Sequence, residues 1–302
     1  MKRQILFLLF GLFLFLNQVS GQNFKDKFND LVSKKDTLAQ FSLLEKWEKS
    51  DSNDPELYVA YFNFYVNKSR KEVIAMGKKP KGEDALKIMD QDSTKKEPVA
   101  FMYGDTYYNQ DLLNKGFYYI DKGIKINPTR LDMRFGKIYM LGKIEDYETF
   151  TTEIINTINY SVVINNQWTW ADNKPYERGY KYFLGGIQSY VLQLYNTEND
   201  ALLVNMKRIA EAALKHYPNH IESLTNVSIV HLLRKDYDKA LDILLKAQML
   251  DPKDAIVSSD IAQAYKLKGD SKNAIKYYEM AIENGDDQTK DYAKKQIEML
   301  KN

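Results

Sequence analysis

The chain has 302 residues, of which 44% are hydrophobic and 28% charged, a balance that excludes an unfolded polymer and supplies enough apolar surface for a sizeable core. Its 43 basic residues exceed its 41 acidic ones only through Lys2 and Arg3. The rest is formally neutral and carries no overall electrostatic footprint for nucleic acid or an anionic membrane. Cysteine is absent, which excludes disulfides, thiolate metal sites and thiol-linked lipid.

The N-terminus reads as a secretory signal peptide over residues 1–21. Lys2 and Arg3 precede an apolar run from Ile5 to Leu16, and small residues follow at Ser20 and Gly21. Twelve helical residues reach only about 18 Å, against about 30 Å of membrane hydrocarbon. The spacing therefore predicts cleavage near Gln22, no stable membrane insertion, and a soluble periplasmic or extracellular protein spanning 22–302.

Helical segments follow. Asp51, Ser52, Asn53 and Asp54, before Pro55, carry oxygen side chains but lack the glycine and distal glutamate of a calcium loop. They read as a helix end, an Asx turn and a proline-started helix. A first insertion spans about 69–107. Within it Glu72–Met76 and Ala85–Met89 are short apolar runs on either side of a Gly/Pro-rich tip bearing Lys78, Lys79 and Lys81, which predicts a short β-hairpin with a solvated tip. Gly123, five residues before Pro128, marks the next helix end. Phe135, Gly136 and Tyr139 open another helix, and Glu145, Asp146 and Tyr147 form the turn after it.

A second insertion, about 164–178, holds Trp168, Trp170 and Tyr176 among asparagines and a proline. Aromatic rings in a polar loop either clamp the loop to the body or form a contact surface for a partner or a sugar.

From about 187 to 286 the chain repeats. Ala213, Ala247 and Ala281 are each 34 residues apart, and Pro218 and Pro252 each lie five residues after the first two. A shift of 34 also places Val227 on Ile261, Ala240 on Ala274 and Leu244 on Tyr278. Small residues facing large ones at this period predict stacked helical hairpins, each burying its apolar face against its neighbours. Gly269 is suited to end a helix with positive φ, and Asp236 and Asp270 to cap the helices after the turns. The last stretch, 288–300, puts Ala293, Ile297 and Leu300 on one face and lysines on the other, the pattern of a helix that seals a solenoid end.

These residues resemble the tetratricopeptide repeat family. Its succession of large, small, aromatic and alanine positions reads here as Leu224, Val227, Ser228, His231, Ala240, Leu244, Ala247 and Pro252, then again from Ser258 to Ala281. The sequence departs from the family in having His231 at a tyrosine position, no Trp at the fourth position and no Gly at the eighth. The resemblance implies an all-α solenoid, here of about five hairpins with two insertions and a C-terminal capping helix. It also implies a non-catalytic scaffold that binds a protein or peptide in the groove lined by the first helix of each hairpin. By the family's spacing the groove residues are Glu222, Thr225, Ile229, Leu232, Ser259, Gln263 and Lys266. The lysine and two asparagines with which some members hold a C-terminal carboxylate are not carried over, since only Asn226 is present. The rival reading is a carbohydrate-binding accessory protein using Trp168, Trp170 and Tyr176.

No enzyme motif is present. There is no phosphate-binding glycine loop, no His-Glu-x-x-His and no Gly-x-Ser-x-Gly. His216 and His220 bracket a Tyr-Pro-Asn turn without the further ligands that a metal needs, and His231 reads as a packing residue. Neither a cofactor nor a metal is expected.

Overall fold

The computed structural model describes residues 23–80, 82, 84–92 and 96–301. The signal-peptide reading of 1–21, and Lys81 of the first tip, lie outside the described residues. The described residues divide into two compact units: those up to 137 with 169–175, and 138–168 with those from 176 onward.

The first unit begins with helix α1 (23–33), α2 (Thr37–Ser50) and α3 (Pro55–Ser69). The turn between α2 and α3 is built as an Asx turn: Asn53 N–H donates to Asp51 Oδ1 (3.0 Å), and Pro55 takes the first helical turn. Asp54 accepts from Glu56 N–H and from Trp47 Nε1 (2.9 Å), so one carboxylate caps α3 and satisfies the buried indole. Leu44, Trp47, Leu57, Tyr61 and Phe64 form the core here, with Phe24 stacked on Trp47 at 5.6 Å.

Helix α3 packs against α4 (Gln110–Ile126). Close approach needs Gly123, where a Cβ would sit 2.6 Å from Tyr58 Cβ. Tyr119 of α4 stacks on Tyr61 at 3.9 Å.

Between α3 and α4 lie β1 (Arg70–Gly77), β2 (Leu86–Ile88) and β3 (Ala100–Tyr108). The two predicted strands exist, but they do not pair with each other. The sheet order is β1-β3-β2, antiparallel throughout, with Arg70 opposite Tyr108 and Leu86 opposite Met102. The reason lies at the base of the insertion. Because α3 and α4 are packed together, the strand leaving one starts beside the strand entering the other, and Asn109 N–H donates to Ser69 C=O at 2.8 Å. β1 and β3 therefore pair along their whole length, and β2 adds at the far side of β3.

Helix α5 (Leu131–Lys143) starts in this unit, and residues 169–175, with a 3₁₀ turn at Ala171–Asn173, complete it. A buried ion network holds that segment. The Arg130 side chain is fully buried; Nη1 lies 2.7 Å from Glu56 Oε1, while Nε and Nη2 engage Asp132 at 2.8 and 2.7 Å. Glu56 also meets Lys25 (3.1 Å) and accepts from Asp172 N–H (2.8 Å). Burial works against the charge on Arg130, but Asp132 and Glu56 outweigh it and hold its pKa above the ordinary value.

The second unit contains α6 (Tyr147–Val163), α7 (Gly179–Tyr195), a 3₁₀ turn (Asp200–Leu202), α8 (Leu203–His216), α9 (Ile221–Leu233), α10 (Tyr237–Leu250), α11 (Ala255–Lys268), α12 (Ser271–Asn284) and α13 (Asp287–Lys301). From α7 onward each helix packs against the next. The 34-residue register holds in the packing: Ala213, Ala247 and Ala281 are buried, as are Ala240 and Ala274, Leu244 and Tyr278, Val227 and Ile261. Gly269 takes φ +88° at the end of α11, and Asp270 accepts from Asn273 N–H (3.0 Å). One repeat earlier the equivalents differ. Lys235 adopts φ +62° despite its Cβ, and Asp236 makes no cap hydrogen bond, lying instead 3.0 Å from Lys239 Nζ. Helix α13 covers the last hairpin with Ala293 and Ile297 packed against Tyr278 and Ala281.

Among the described residues no helix is long and apolar enough to cross a membrane.

Candidate functional site

The second unit carries an open cleft of about 670 Å³ along the N-terminal ends of alternate helices. The start of α7 contributes Tyr180, Lys181 and Leu184. The turn from α8 into α9 contributes His216 to Glu222, and the turn into α11 contributes Asp251 and Asp254. The repeat explains the arrangement. Each first helix of a hairpin begins at the same end, so its starting turn lies along one line with the others.

Polar groups around the cleft are fixed by their own partners. Tyr180 stacks on Tyr217 at 6.1 Å with rings nearly parallel. The Tyr217 hydroxyl donates to Asn166 Oδ1 (2.9 Å) and meets Ser161 Oγ (2.7 Å). His216 Nε2 is 2.8 Å from Asn159 Oδ1. His220 lies between Ser223 Oγ (2.8 Å) and Glu222 Oε2 (3.0 Å); burial lowers its pKa, and the Glu222 charge only partly opposes this. The two histidines thus have separate partners. Among the described residues no group of three His, Asp or Glu side chains could hold a metal ion. The cleft offers an aromatic pair, one lysine and three carboxylates, which is recognition chemistry: stacking, hydrogen bonding and a negative bias.

The groove residues expected from the sequence scatter in their roles. Glu222 is exposed and lines the cleft. Thr225 is buried, its hydroxyl donating to the Glu222 carbonyl (2.9 Å), and offers no surface to a partner. Ile229 and Ser259 are half-buried, and Leu232 packs against the core of α9 to α11. Gln263 accepts from the Tyr278 hydroxyl (2.9 Å), and Lys266 donates to Gln296 of α13 (2.5 Å). Gln263 is thus tied to the second helix of its own hairpin and Lys266 to the cap. Sequence reasoning missed Tyr180, Lys181, Tyr217, Asp251 and Asp254, because they sit at a helix start and in turns that the repeat pattern treats as spacers.

In the second insertion, Trp168 is 2% exposed, with Tyr160 and Phe183 at 5.9 and 5.6 Å, and offers no stacking face to a sugar. Trp170 is 39% exposed, edge-on to Phe135. Tyr176 is half-buried and its N–H donates to the Trp168 carbonyl (2.8 Å).

A run of 34-residue hairpins, alanines at the helix contacts and a sealing C-terminal helix define a helical repeat protein. The tetratricopeptide repeat family model matches residues 259–284, within α11 and α12, so the chain carries a repeat of that family there. No match is found among curated protein sequences. Among solved structures the chain is similar to YrrB, described as a TPR protein with an unusual peptide-binding site, at 13% identity over 83% of this chain and 97% of that one, with a TM-score of 0.41. It is also similar to a tetratricopeptide repeat protein from Parabacteroides merdae ATCC 43184 (12% identity, 88% and 80% covered, TM-score 0.38). A third is PilW, described as a widely conserved type IV pilus biogenesis factor (9% identity, 88% and 93% covered, TM-score 0.37). At these scores no property of those proteins transfers.

Proposed function

We propose that this protein is a non-catalytic scaffold whose second unit binds a peptide segment of a partner protein in the cleft along α7, α9 and α11. The observation that carries this reading is the Tyr180–Tyr217 stack at the cleft wall, with Tyr217 held by Ser161 and Asn166 and Tyr180 half-exposed beside Lys181. A rigid, partly exposed aromatic ring beside a charged side chain is the usual anchor of a peptide contact. The test is selection of random twelve-residue peptides on the mature chain, with the selected sequences titrated against wild type and Tyr180→Ala/Lys181→Ala. Binding that falls about tenfold or more in the variant, with unchanged helical circular dichroism, supports the cleft; equal binding to both proteins removes it.

Export belongs to the same proposal and rests on the N-terminal sequence alone. Intact mass of the protein isolated from its native cell checks it: a chain beginning near Gln22 supports export, and a retained Met1 overturns it.

A further inference from the structure

The sheet of the first insertion leaves one long edge open. β1 is an outer strand of the order β1-β3-β2, and its register with β3 runs from Arg70 to Gly77 without a bulge. Asn109 N–H donates to Ser69 C=O, so the opposed residues Ser69 and Asn109 are a hydrogen-bonded pair, and alternation along an antiparallel ladder fixes the rest. Lys71, Val73 and Ala75 turn their peptide groups to β3. Glu72, Ile74 and Met76 turn theirs outward, a row of N–H donors and C=O acceptors at the free edge. Such edges are ordinarily blunted by lysine, proline or a bulge, yet residues 73–77 carry none of these. The side chains add apolar surface. Ile74 and Met76 share a face with their partners Gly104 and Met102, and with Leu86 beyond Met102. Ile74, Met76 and Leu86 are 78%, 66% and 61% exposed, a Cβ at Gly104 would meet nothing within 4 Å, and no residue of the three strands is buried. A small sheet is stabilised by packing an apolar face, and here that face is left uncovered.

Charge along the edge selects the occupant. Arg70 pairs with Glu72 at 3.3 Å, which leaves the exposed Lys71 at the base of β1 and the exposed Lys78 and Lys79 just past its tip. A second copy pairing antiparallel through β1 would set the lysine of one base beside the lysines of the other tip, at both ends. Like charges facing across strands oppose that pairing. A strand with carboxylates at both ends and apolar side chains between them meets the complementary pattern. We infer that β1 is a docking edge for an extended, acidic-ended segment of a partner protein. The segment adds to the sheet as a further strand, bonding to the peptide groups of Glu72, Ile74 and Met76 and laying alternate apolar side chains beside Ile74 and Met76. This edge belongs to the first unit and does not depend on the peptide cleft of the second.

The test uses three pools of peptides of about twelve residues with a random middle, ending in paired aspartates, serines or lysines, each selected on the mature protein. Selected peptides are labelled and titrated by fluorescence anisotropy, and those that bind Tyr180→Ala/Lys181→Ala as tightly as wild type are kept, which sets the cleft aside. These are titrated against Ile74→Pro, which removes an outward N–H and none of the bonds between β1 and β3. Each is also made with N-methyl groups on its odd-numbered or on its even-numbered residues, so that backbone bonding is tested on the unaltered protein. The expected result is enrichment from the aspartate-ended pool with apolar residues at alternate positions, and a loss of about tenfold or more both in Ile74→Pro and with one N-methyl set but not the other. Equal enrichment from the three pools, or equal binding with the two N-methyl sets, overturns the docking edge. A wild-type dimer in sedimentation that Ile74→Pro converts to monomer also overturns it, since the occupant is then a second copy. If no selected peptide is weakened by Ile74→Pro the edge is overturned as well, while peptides that depend on Tyr180 leave the cleft standing.

Discussion

Arg130 Nη1 lies 2.7 Å from Glu56 Oε1, at a place where the arginine side chain has no exposed surface. Their 74-residue separation makes this pair, with Lys25 and Asp172 joined to it, a clamp on residues 169–175 rather than a local helix contact. Glu56→Leu would leave Arg130 with Asp132 and Asn173, leave Lys25 with Asp172, and orphan the Asp172 N–H. The expected cost is about 3 kcal/mol, read as a fall in urea midpoint. A double-mutant cycle with Arg130→Met should recover part of it, since an apolar pair carries no buried charge.

Ala247 is fully buried in the cluster formed by α9, α10 and α11. Ala247→Leu should overpack this contact and destabilise the protein by roughly 1–3 kcal/mol. An unchanged thermal melt would show that the helices do not approach there.

The two tryptophans of the second insertion should respond differently. Trp168→Ala removes a buried ring from between Tyr160 and Phe183 and should cost about 3–5 kcal/mol. Trp170→Ala, at a partly exposed ring, should cost about 1 kcal/mol or less. Equal losses in urea titrations of the two variants would contradict this placement.

Asp260 gives a pH dependence of known sign. In the folded chain its carboxyl holds a proton up to about pH 7, whereas in the unfolded chain it ionises near 3.9. Between about pH 4 and 7 the folded state binds the extra proton, so stability falls as pH rises through that window and the loss is complete above it. Asp260→Asn removes this dependence. The variant should be more stable than wild type by roughly 1–3 kcal/mol at pH 8 and indistinguishable near pH 4. A parallel stability profile for the two proteins would mean that Asp260 is ionised normally in the fold.

How much of this was legible in the sequence follows from the range of each interaction. The C-terminal hairpins could be read because a fixed period repeats the same packing problem, and Ala213, Ala247 and Ala281 answer it identically. Gly123 before Pro128 was readable for the same reason, as a small residue at a helix contact. Strand β3 was not, because Ala100–Tyr108 becomes a strand through being delivered beside β1 by the α3–α4 pair, and nothing local to those nine residues says so. The cleft was half legible. Family spacing identified Glu222 as a surface residue, but it also selected Thr225, which the α9 packing buries. Tyr180 and Tyr217 meet across 37 residues through a helix start and a turn, and neither carries a pattern that marks it.

Helix α13 sets a direction on the whole C-terminal array. Its inner face spends Ala293 and Ile297 on Tyr278 and Ala281, while Lys294, Lys295 and Glu298 face water. An array of stacked units ordinarily presents at its last member the same sticky surface that joined all the earlier ones, and so invites another copy to continue the stack. Here that surface is occupied by a helix with a charged exterior, which makes growth by end-to-end addition self-terminating. The outer face of α13 is thus a poor template for docking a further copy of the repeat.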